Sequence, residues 1–384
     1  MFYLAGIIIT FFLSVLLAGK KGKSEADKVL TAWLIIIGLH LTMFYLYLSG
    51  NFLKFTWLLG LHIPLPLVHG PFLFLYTTAL TQARGIKAEG LLHFIPVFII
   101  YGLMLPFFQL PADQKIAVYQ RGGSGYEWLT DWVFIAIIVS GITYVILSFL
   151  KLRQHKINIE NQFSNTARIN LNWLGYLIFG TSVIWAVILF GLGDTFIFGG
   201  VVLYVFFMGY FGIRQVGIFS NKPSLVEPVS KNEGNPKAGV KNVWEVTPVP
   251  NLPDAKLKYQ KSSLTAEEAT RIHQQLEHLM LKDKLFKDPE LSLGQLAEML
   301  NVHSNVLSQV INSFENKNFY DYINSLRIAE FKTLAADPGN RQYTLLSLAY
   351  ECGFNSKTAF NRNFKKVTGA SPTEYLSKVN VNLA

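Results

Sequence analysis

The chain has 384 residues, enough for two or three domains; 51% of them are hydrophobic and 15% are charged. Its formal net charge of +9 is spread unevenly: residues 1–218 hold 14 Lys and Arg against 8 Asp and Glu, and residues 256–384 hold 16 against 13. This spread excludes one broad nucleic-acid-binding surface. The lone Cys352 excludes an internal disulfide and a zinc cluster built on cysteines.

Long apolar runs dominate the first half of the chain. Most approach the roughly 20 residues that a helix needs to cross a bilayer. The pattern therefore predicts a transmembrane domain over residues 1–218 with seven spans. The runs cover residues 2–18, 29–49, 56–80, 90–110, 132–150, 171–191 and 196–213.

Lysines and arginines predict how these spans are oriented. No charged side chain precedes the first run and Lys20 follows it, which argues against a cleaved signal peptide. With the amino terminus outside, the inner segments hold 11 membrane-proximal cations and the outer loops hold 3. Cytoplasmic loops carry the excess of Lys and Arg, so we expect the carboxyl-terminal part in the cytoplasm.

A histidine pair marks a candidate ligand pocket in the membrane half. His62 and His69 bracket the run HIPLPLVHGP, whose prolines remove backbone donors. Broken helices at membrane depth survive where they are buried in protein or line a cavity. The alternatives are a ligand pocket and a kinked helix with hydrogen-bonded histidines. No carboxylate or cysteine joins them at ligand spacing, so we expect neither a metal nor a cofactor.

A polar stretch separates the two halves. Residues 219–255 are rich in Pro, Asn, Ser, Gly and Lys and show no apolar period. This composition predicts a flexible cytoplasmic linker.

The pattern becomes helical from Leu264. Thr265 and Glu268 form a capping-box arrangement at the start of a first amphipathic helix. Two similar units follow, over residues 291–314 and 343–366.

Each of these units predicts a helix-turn-helix. A Leu-Ala pair is followed four residues after its alanine by a residue that tolerates positive φ, which gives Ala297 with Asn301 and Ala349 with Gly353. A small residue on the first helix lets the second helix cross close to it. The segment FYDYINSLRIAEFKTLAAD between the units predicts one long helix, ended by Pro338 and Gly339.

These motifs carry a family resemblance. Residues 264–380 resemble the AraC/XylS-type DNA-binding domain, through LRIAEFKTLAAD and LAYECGFNSKTAFNRNFKKVTGASPTEYL. A membrane half with such a tail resembles membrane-anchored regulators of that type, in a Bacteroidetes-like branch. The resemblance implies an all-α chain: a seven-span bundle in the bacterial inner membrane, followed by a cytoplasmic tandem helix-turn-helix domain.

The resemblance also implies which residues meet DNA, since the second helix of each unit would enter the major groove. The first reading helix carries no lysine or arginine, so we expect the second to supply most of the electrostatic affinity. The candidate DNA-binding residues are Ser304, Asn305, Ser308, Gln309 and Asn312 in the first unit and Lys357, Thr358, Asn361, Arg362, Lys365 and Lys366 in the second.

Side-chain chemistry divides the roles within this set. Arg362 suits a bidentate contact with guanine, and Asn361 or Gln309 suits adenine. Lys365 and Lys366 lie near the helix end and suit phosphates.

The sequence thus favours a membrane-embedded transcription regulator whose membrane half senses a signal. Its expected partners are double-stranded DNA, the lipid bilayer, a small-molecule or envelope signal and, as one option, a second copy of the chain. No nucleophile elbow, phosphate loop or metal cluster favours an enzyme. The alternatives are a transporter or membrane enzyme with a regulatory DNA-binding tail, and a purely structural anchor.

Overall fold

Helices form the architecture throughout the computed structural model, which describes residues 1–82, 88–167, 169–214 and 264–381. Those ranges contain no strand, only an isolated antiparallel bridge between Phe163 and Ser292, so the all-α prediction is confirmed. The chain divides into two compact units. The predicted linker, 219–255, lies outside the described residues.

Among the described residues, the first unit comprises residues 1–153 and 171–214. Its helices are α1 (Phe2–Gly19), α2 (Glu25–Leu48), α3 (Pro66–Thr81), α4 (Ile95–Leu103), α5 (Leu105–Phe108), α6 (Ala112–Gln120), most of α7 (Glu127–Gln162), α8 (Asn172–Leu189) and α9 (Asp194–Arg214).

Five of these helices are long and apolar enough to cross a membrane: α1, α2, α7, α8 and the apolar part of α9. The third and fourth predicted runs form shorter pieces. In the third, α3 begins only at Pro66, after a series of turns; in the fourth, the helix is divided into a 3₁₀ turn, α4 and α5. Prolines explain the breaks, because each removes a backbone donor from the helical ladder. Seven crossings therefore remain a prediction.

Local polar contacts fix where α2 begins. The hydroxyl of Ser24 accepts a bond from the backbone N–H of Asp27, and the carboxylate of Asp27 accepts one from the N–H of Ser24, at 3.1 and 2.8 Å. This reciprocal pair satisfies two donors that a helix start leaves unpaired. Lys20 also donates to the Asp27 carboxylate at 2.8 Å. The turn after α1 is thereby tied to the first turn of α2.

The second unit contains residues 154–170 and the described residues from Leu264 onward. Residues 154–170, predicted as part of the membrane domain, group with the carboxyl-terminal helices in the structure. Those helices are α10 (Ala266–Leu281), α11 (Leu293–Met299), α12 (Ser304–Glu315), α13 (Phe319–Ala336), α14 (Leu345–Glu351), α15 (Lys357–Thr368) and α16 (Pro372–Val381).

The joining helix α13 serves two hydrophobic cores in turn. Its first half buries Phe319 and Ile323 against α10, α11 and α12. Its second half buries Ile328 and Phe331 against α14 and α15. It ends at Ala336, before the Pro338–Asn340 turn. The predicted single helix between the units is therefore present, and both units are built on it.

Candidate functional site

Both predicted helix-turn-helix units form, and their turns have the same geometry. Ala297 and Ala349 are buried where the two helices of each unit meet. Asn301 and Gly353 both adopt positive φ, at 53° and 95°. The next residue, Val302 or Phe354, then donates its N–H back to that alanine's carbonyl, at 2.9 and 3.1 Å.

The turn in the second unit requires glycine. A Cβ on Gly353 would lie 2.6 Å from the carbonyl oxygen of Lys287, closer than real Cβ contacts allow. Its positive φ also disfavours any other residue. The neighbouring Cys352 is fully buried, and burial raises the pKa of its thiol to about 12. This cysteine therefore packs as a small unreactive side chain.

The first reading helix, α12, presents a neutral surface. Ser304, Asn305 and Asn312 are exposed, whereas Ser308 and Gln309 are half-buried. The amide of Asn312 donates to the backbone carbonyl of Ser308 at 2.8 Å, so one of its donors is held by its own helix. The surface offers hydrogen-bonding groups and no positive charge.

The second reading helix, α15, presents the predicted cations on an exposed surface. Phe360 and Phe364 are buried on its opposite side. Ser356 caps the helix by accepting a bond from the N–H of Ala359 at 3.2 Å. The exposed candidates on this helix are Lys357, Thr358, Asn361, Arg362, Lys365 and Lys366.

Two of these cations are held by the joining helix. Arg362 Nη2 donates to the hydroxyl of Tyr320 at 2.5 Å, and its guanidinium lies 5.6 Å from the centre of the Tyr320 ring. Lys366 Nζ lies 2.6 Å from a carboxylate oxygen of Asp321. Buried Asn363 also donates to the Tyr320 hydroxyl, at 2.7 Å. These partners were not predicted from the sequence, because their contacts span more than 40 residues.

Arg327 is a second feature that the sequence analysis missed. Its side chain is 1% exposed. Nε donates to the carbonyl of Phe286 and Nη2 to that of Asp288, both at 2.6 Å. Burial lowers the pKa of Arg327 to about 10, so it stays charged at neutral pH. A buried guanidinium needs such partners for its fork of donors. The sequence does contain a signal for Arg327, because this residue lies in the segment LRIAEF that carries the family resemblance.

The first unit contains a cavity of about 370 Å³. His62 and His69, the candidate ligand pocket, both line it, together with His40 and many apolar side chains. His62 lies in the turns before α3, and its buried Nδ1 has no hydrogen-bond partner among the described residues. The cavity is therefore an apolar space with a few polar groups in its wall, which is the usual composition of a small-molecule site.

A relay of hydrogen bonds fixes the tautomers of two of these histidines. Trp33 Nε1 donates to His69 Nδ1 at 3.2 Å, and His69 Nε2 lies 3.2 Å from His40 Nδ1. An indole N–H can only donate, so His69 Nδ1 must accept and His69 carries its proton on Nε2. That proton is then donated to His40, which leaves the N–H of His40 on Nε2. The relay ends in a donor on a cavity-lining side chain.

A histidine and two glutamates also meet in the second unit. His273 Nε2 lies 3.0 Å from a Glu315 oxygen and its Nδ1 lies 3.9 Å from Glu277, while its ring stacks on Phe314. Their ligand atoms lie within 4.8 Å of one another. This cluster ties α10 to α12 beside the first helix-turn-helix unit.

Comparison with protein families supports the helix-turn-helix units of the second unit. No curated protein and no solved structure matches the chain. Residues 296–378 match the family model of a helix-turn-helix domain. The match runs from within α11 to α16 and so includes both reading helices. The carboxyl-terminal part of this chain therefore contains a helix-turn-helix domain.

Proposed function

We propose that the chain is a membrane-embedded, sequence-specific transcription regulator whose membrane half senses a signal. The observation that carries this proposal is the presence of two helix-turn-helix units on one joining helix, in a chain whose described residues also form five long apolar helices. The DNA-binding domain would lie in the cytoplasm and the spans in the bacterial inner membrane, with seven crossings and an external amino terminus.

The two reading helices would divide the work on DNA. Phosphate neutralisation by lysine and arginine supplies the salt-dependent part of affinity, and only α15 offers such cations. Exposed Asn305 on α12, and Asn361 and Arg362 on α15, have the chemistry to read base edges. We therefore propose that α15 supplies most of the affinity for the duplex and that α12 adds sequence preference.

Genome-wide mapping of DNA bound by the full-length chain in its own membrane tests this function. We expect a limited set of enriched fragments that share a sequence motif. The control carries Lys357→Ala and Arg362→Ala, which change exposed side chains and should keep the fold while losing the enrichment. Equal enrichment in the two strains, or none in either, would contradict DNA-binding regulation.

The cavity supports the sensing part of the proposal. Its apolar wall and the N–H of His40 Nε2 suit a molecule with an apolar body and one hydrogen-bond acceptor, such as a carbonyl or carboxylate group. A buried donor rejects analogues that lack its partner, because the unpaired group costs free energy. The ligand class we propose is therefore an amphipathic carbonyl or carboxylate compound.

Mass spectrometry of molecules extracted from the purified protein in lipid nanodiscs tests this site. We expect a carbonyl or carboxylate compound in the wild type and its loss in His40→Phe, which keeps an aromatic ring and removes the donor. His93→Phe is the matched control, since His93 lies 2.9 Å from the Tyr144 hydroxyl and does not line the cavity. An equal content of every extracted compound in the wild type and His40→Phe would argue for a structural anchor.

A further inference from the structure

A short segment directly after α7 is built into the second unit. Ser164 is 2% exposed, two residues beyond the end of the helix. Its N–H and its hydroxyl both donate to the carbonyl of Leu291, at 3.2 and 2.7 Å. Next to it, Phe163 forms the antiparallel bridge with Ser292 at the start of α11.

The joining helix completes the binding of this serine. The Ser164 carbonyl accepts from Asn324 Nδ2 at 3.0 Å and from Arg327 Nη1 at 3.4 Å. Arg327 Nη2 donates to the Ser164 hydroxyl at 3.1 Å. Each polar group of Ser164 thus has a partner on α13 or on the segment that precedes α11. Asn324 and Arg327 are both almost fully buried, so leaving their donors unpaired would be costly.

The same stretch brings a negative charge to the second reading helix. Glu160 is half-buried in the last turn of α7, four residues before Ser164. The Asn324 amide that donates to the Ser164 carbonyl also donates to the carbonyl of Tyr320, whose hydroxyl holds Arg362. At this position the Glu160 carboxylate is within range of the charges of Asp321, Lys366 and Arg362. Arg362 and Lys366 are candidates for contact with DNA, and a duplex that engages them would place a phosphate near Glu160. Like charges at short range repel each other.

We propose that this segment is a built-in restraint on DNA binding. While Ser164 is seated between Leu291 and Arg327, the end of α7 keeps Glu160 within range of the α15 cations, where its charge opposes a DNA phosphate. When the segment leaves its seat, this opposition is lost. Because α7 begins in the first unit, a change there has a direct covalent path to this contact. The inference rests on the proposed function, since a restraint requires DNA binding to act on.

A reversible disulfide tests the restraint in the full-length chain in nanodiscs. Asn165 Nδ2 lies 3.3 Å from a Glu290 carboxylate oxygen. The antiparallel register of the Phe163–Ser292 bridge places residue 165 opposite residue 290. Antiparallel partners on such a register are close enough for a disulfide. The variant carries Asn165→Cys and Glu290→Cys, and the native Cys352 is buried. The two single substitutions are the controls.

We expect oxidation to form the disulfide and to weaken binding of a labelled mixed-sequence duplex about fivefold, the scale of one screened charge interaction. Reduction should restore the affinity in the same sample. A mixed-sequence probe suffices, because the repulsion acts on phosphates. Failure of the disulfide to form would refute the seating, and an unchanged or tighter affinity after it forms would refute the restraint.

A second variant separates the effect of the Glu160 charge from the effect of the Ser164 contacts. Glu160→Gln should remove most of the effect of the disulfide and raise the duplex affinity of the locked chain about fivefold, to that of the unlocked chain. Asp131→Asn makes the same change of charge on an exposed residue near the other end of α7 and should alter neither. If no form binds duplex while the disulfide forms, the proposed function and the restraint fail but the seating stands.

Discussion

Arg362 donates a 2.5 Å hydrogen bond to the hydroxyl of Tyr320, joining the second reading helix to the helix that supports both units. The same hydroxyl accepts from Asn363, one residue further along α15. Tyr320 and Asn363 are both buried. The Tyr320 hydroxyl therefore fixes the rotation of α15 about its own axis. This rotation sets the direction in which the exposed residues of α15 point.

Removing the Tyr320 hydroxyl should destabilise the second reading helix. Tyr320→Phe keeps the ring and leaves the buried Asn363 amide with only the carbonyl of Ala359, at 2.9 Å. An unpaired buried donor costs about 1–3 kcal/mol. Hydrogen exchange of peptides from residues 357–368, followed by mass spectrometry, should therefore speed up about fivefold or more. Tyr350→Phe, at an exposed tyrosine on α14, is the control, and equal exchange in the two variants would contradict the role of Tyr320.

The salt dependence of DNA binding should come from α15. Lys357→Ala with Arg362→Ala should weaken binding to a fragment recovered by the mapping experiment and lower the slope of log affinity against log salt by about one to two. Asn305→Ala with Gln309→Ala should weaken specific binding and leave the slope unchanged, because no charge is lost. Titrations at several salt concentrations compare the two pairs. A larger change in slope for the Asn305 and Gln309 pair would show that the division of roles is wrong.

Gly353 should tolerate substitution less well than another glycine with positive φ. Gly353→Ala combines an unfavourable φ with a Cβ pressed on the Lys287 carbonyl, and we expect a loss of about 2–4 kcal/mol in local stability. Gly369→Ala also has a positive φ, 78°, but its Cβ meets nothing within 4 Å, so we expect about 1 kcal/mol. Hydrogen exchange over residues 345–370 measures both. Equal losses would show that the close approach at Lys287 is unimportant.

Acid should weaken the attachment of the Leu285–Lys287 turn to α13. Burial tends to raise the pKa of Glu330, but hydrogen bonds from Lys284 and Lys287, at 2.8 and 2.9 Å, outweigh burial and lower it. A carboxylate with a lowered folded pKa adds stability above its unfolded pKa of about 4.5, and this contribution is lost as the pH falls through the folded pKa.

Glu330→Gln measures this contribution. At pH 7 it should cost about 1 kcal/mol, the scale of partly exposed ion pairs. The difference from the wild type should shrink as the pH falls through the folded pKa of Glu330 and vanish below it, where Glu330 is protonated in both the folded and unfolded states. Exchange rates of the peptide covering residues 284–291 follow it across the pH range. Glu298→Gln, at an exposed glutamate on α11, should show no such convergence, and a constant difference for Glu330→Gln would contradict the assignment.

The sequence predicted the features that depend on local chemistry. The capping pair Thr265 and Glu268, the positive φ of Asn301 and Gly353 and the end of α13 follow from residues a few positions apart, and all are present. Composition could not predict that Ser164 binds Arg327, because the contact spans 163 residues and a serine in a polar loop carries no such signal. The third and fourth apolar runs are hydrophobic enough to predict spans, but their prolines interrupt the helices, so the length of the run does not give the length of the helix.

The unbroken helix α13 has a consequence for the DNA sites themselves. The first half of its 18 residues packs in the core of the first unit and the second half packs in the core of the second unit. The helix therefore has no hinge that could adjust the distance between the two reading helices. Each base pair inserted between the two groove segments would rotate one of them by about 34° around the duplex axis. Insertion of a single base pair should therefore cost one of the two contacts, and insertion of a full turn should not recover it. Natural sites for this protein would then share one invariant spacer, even where the flanking bases differ.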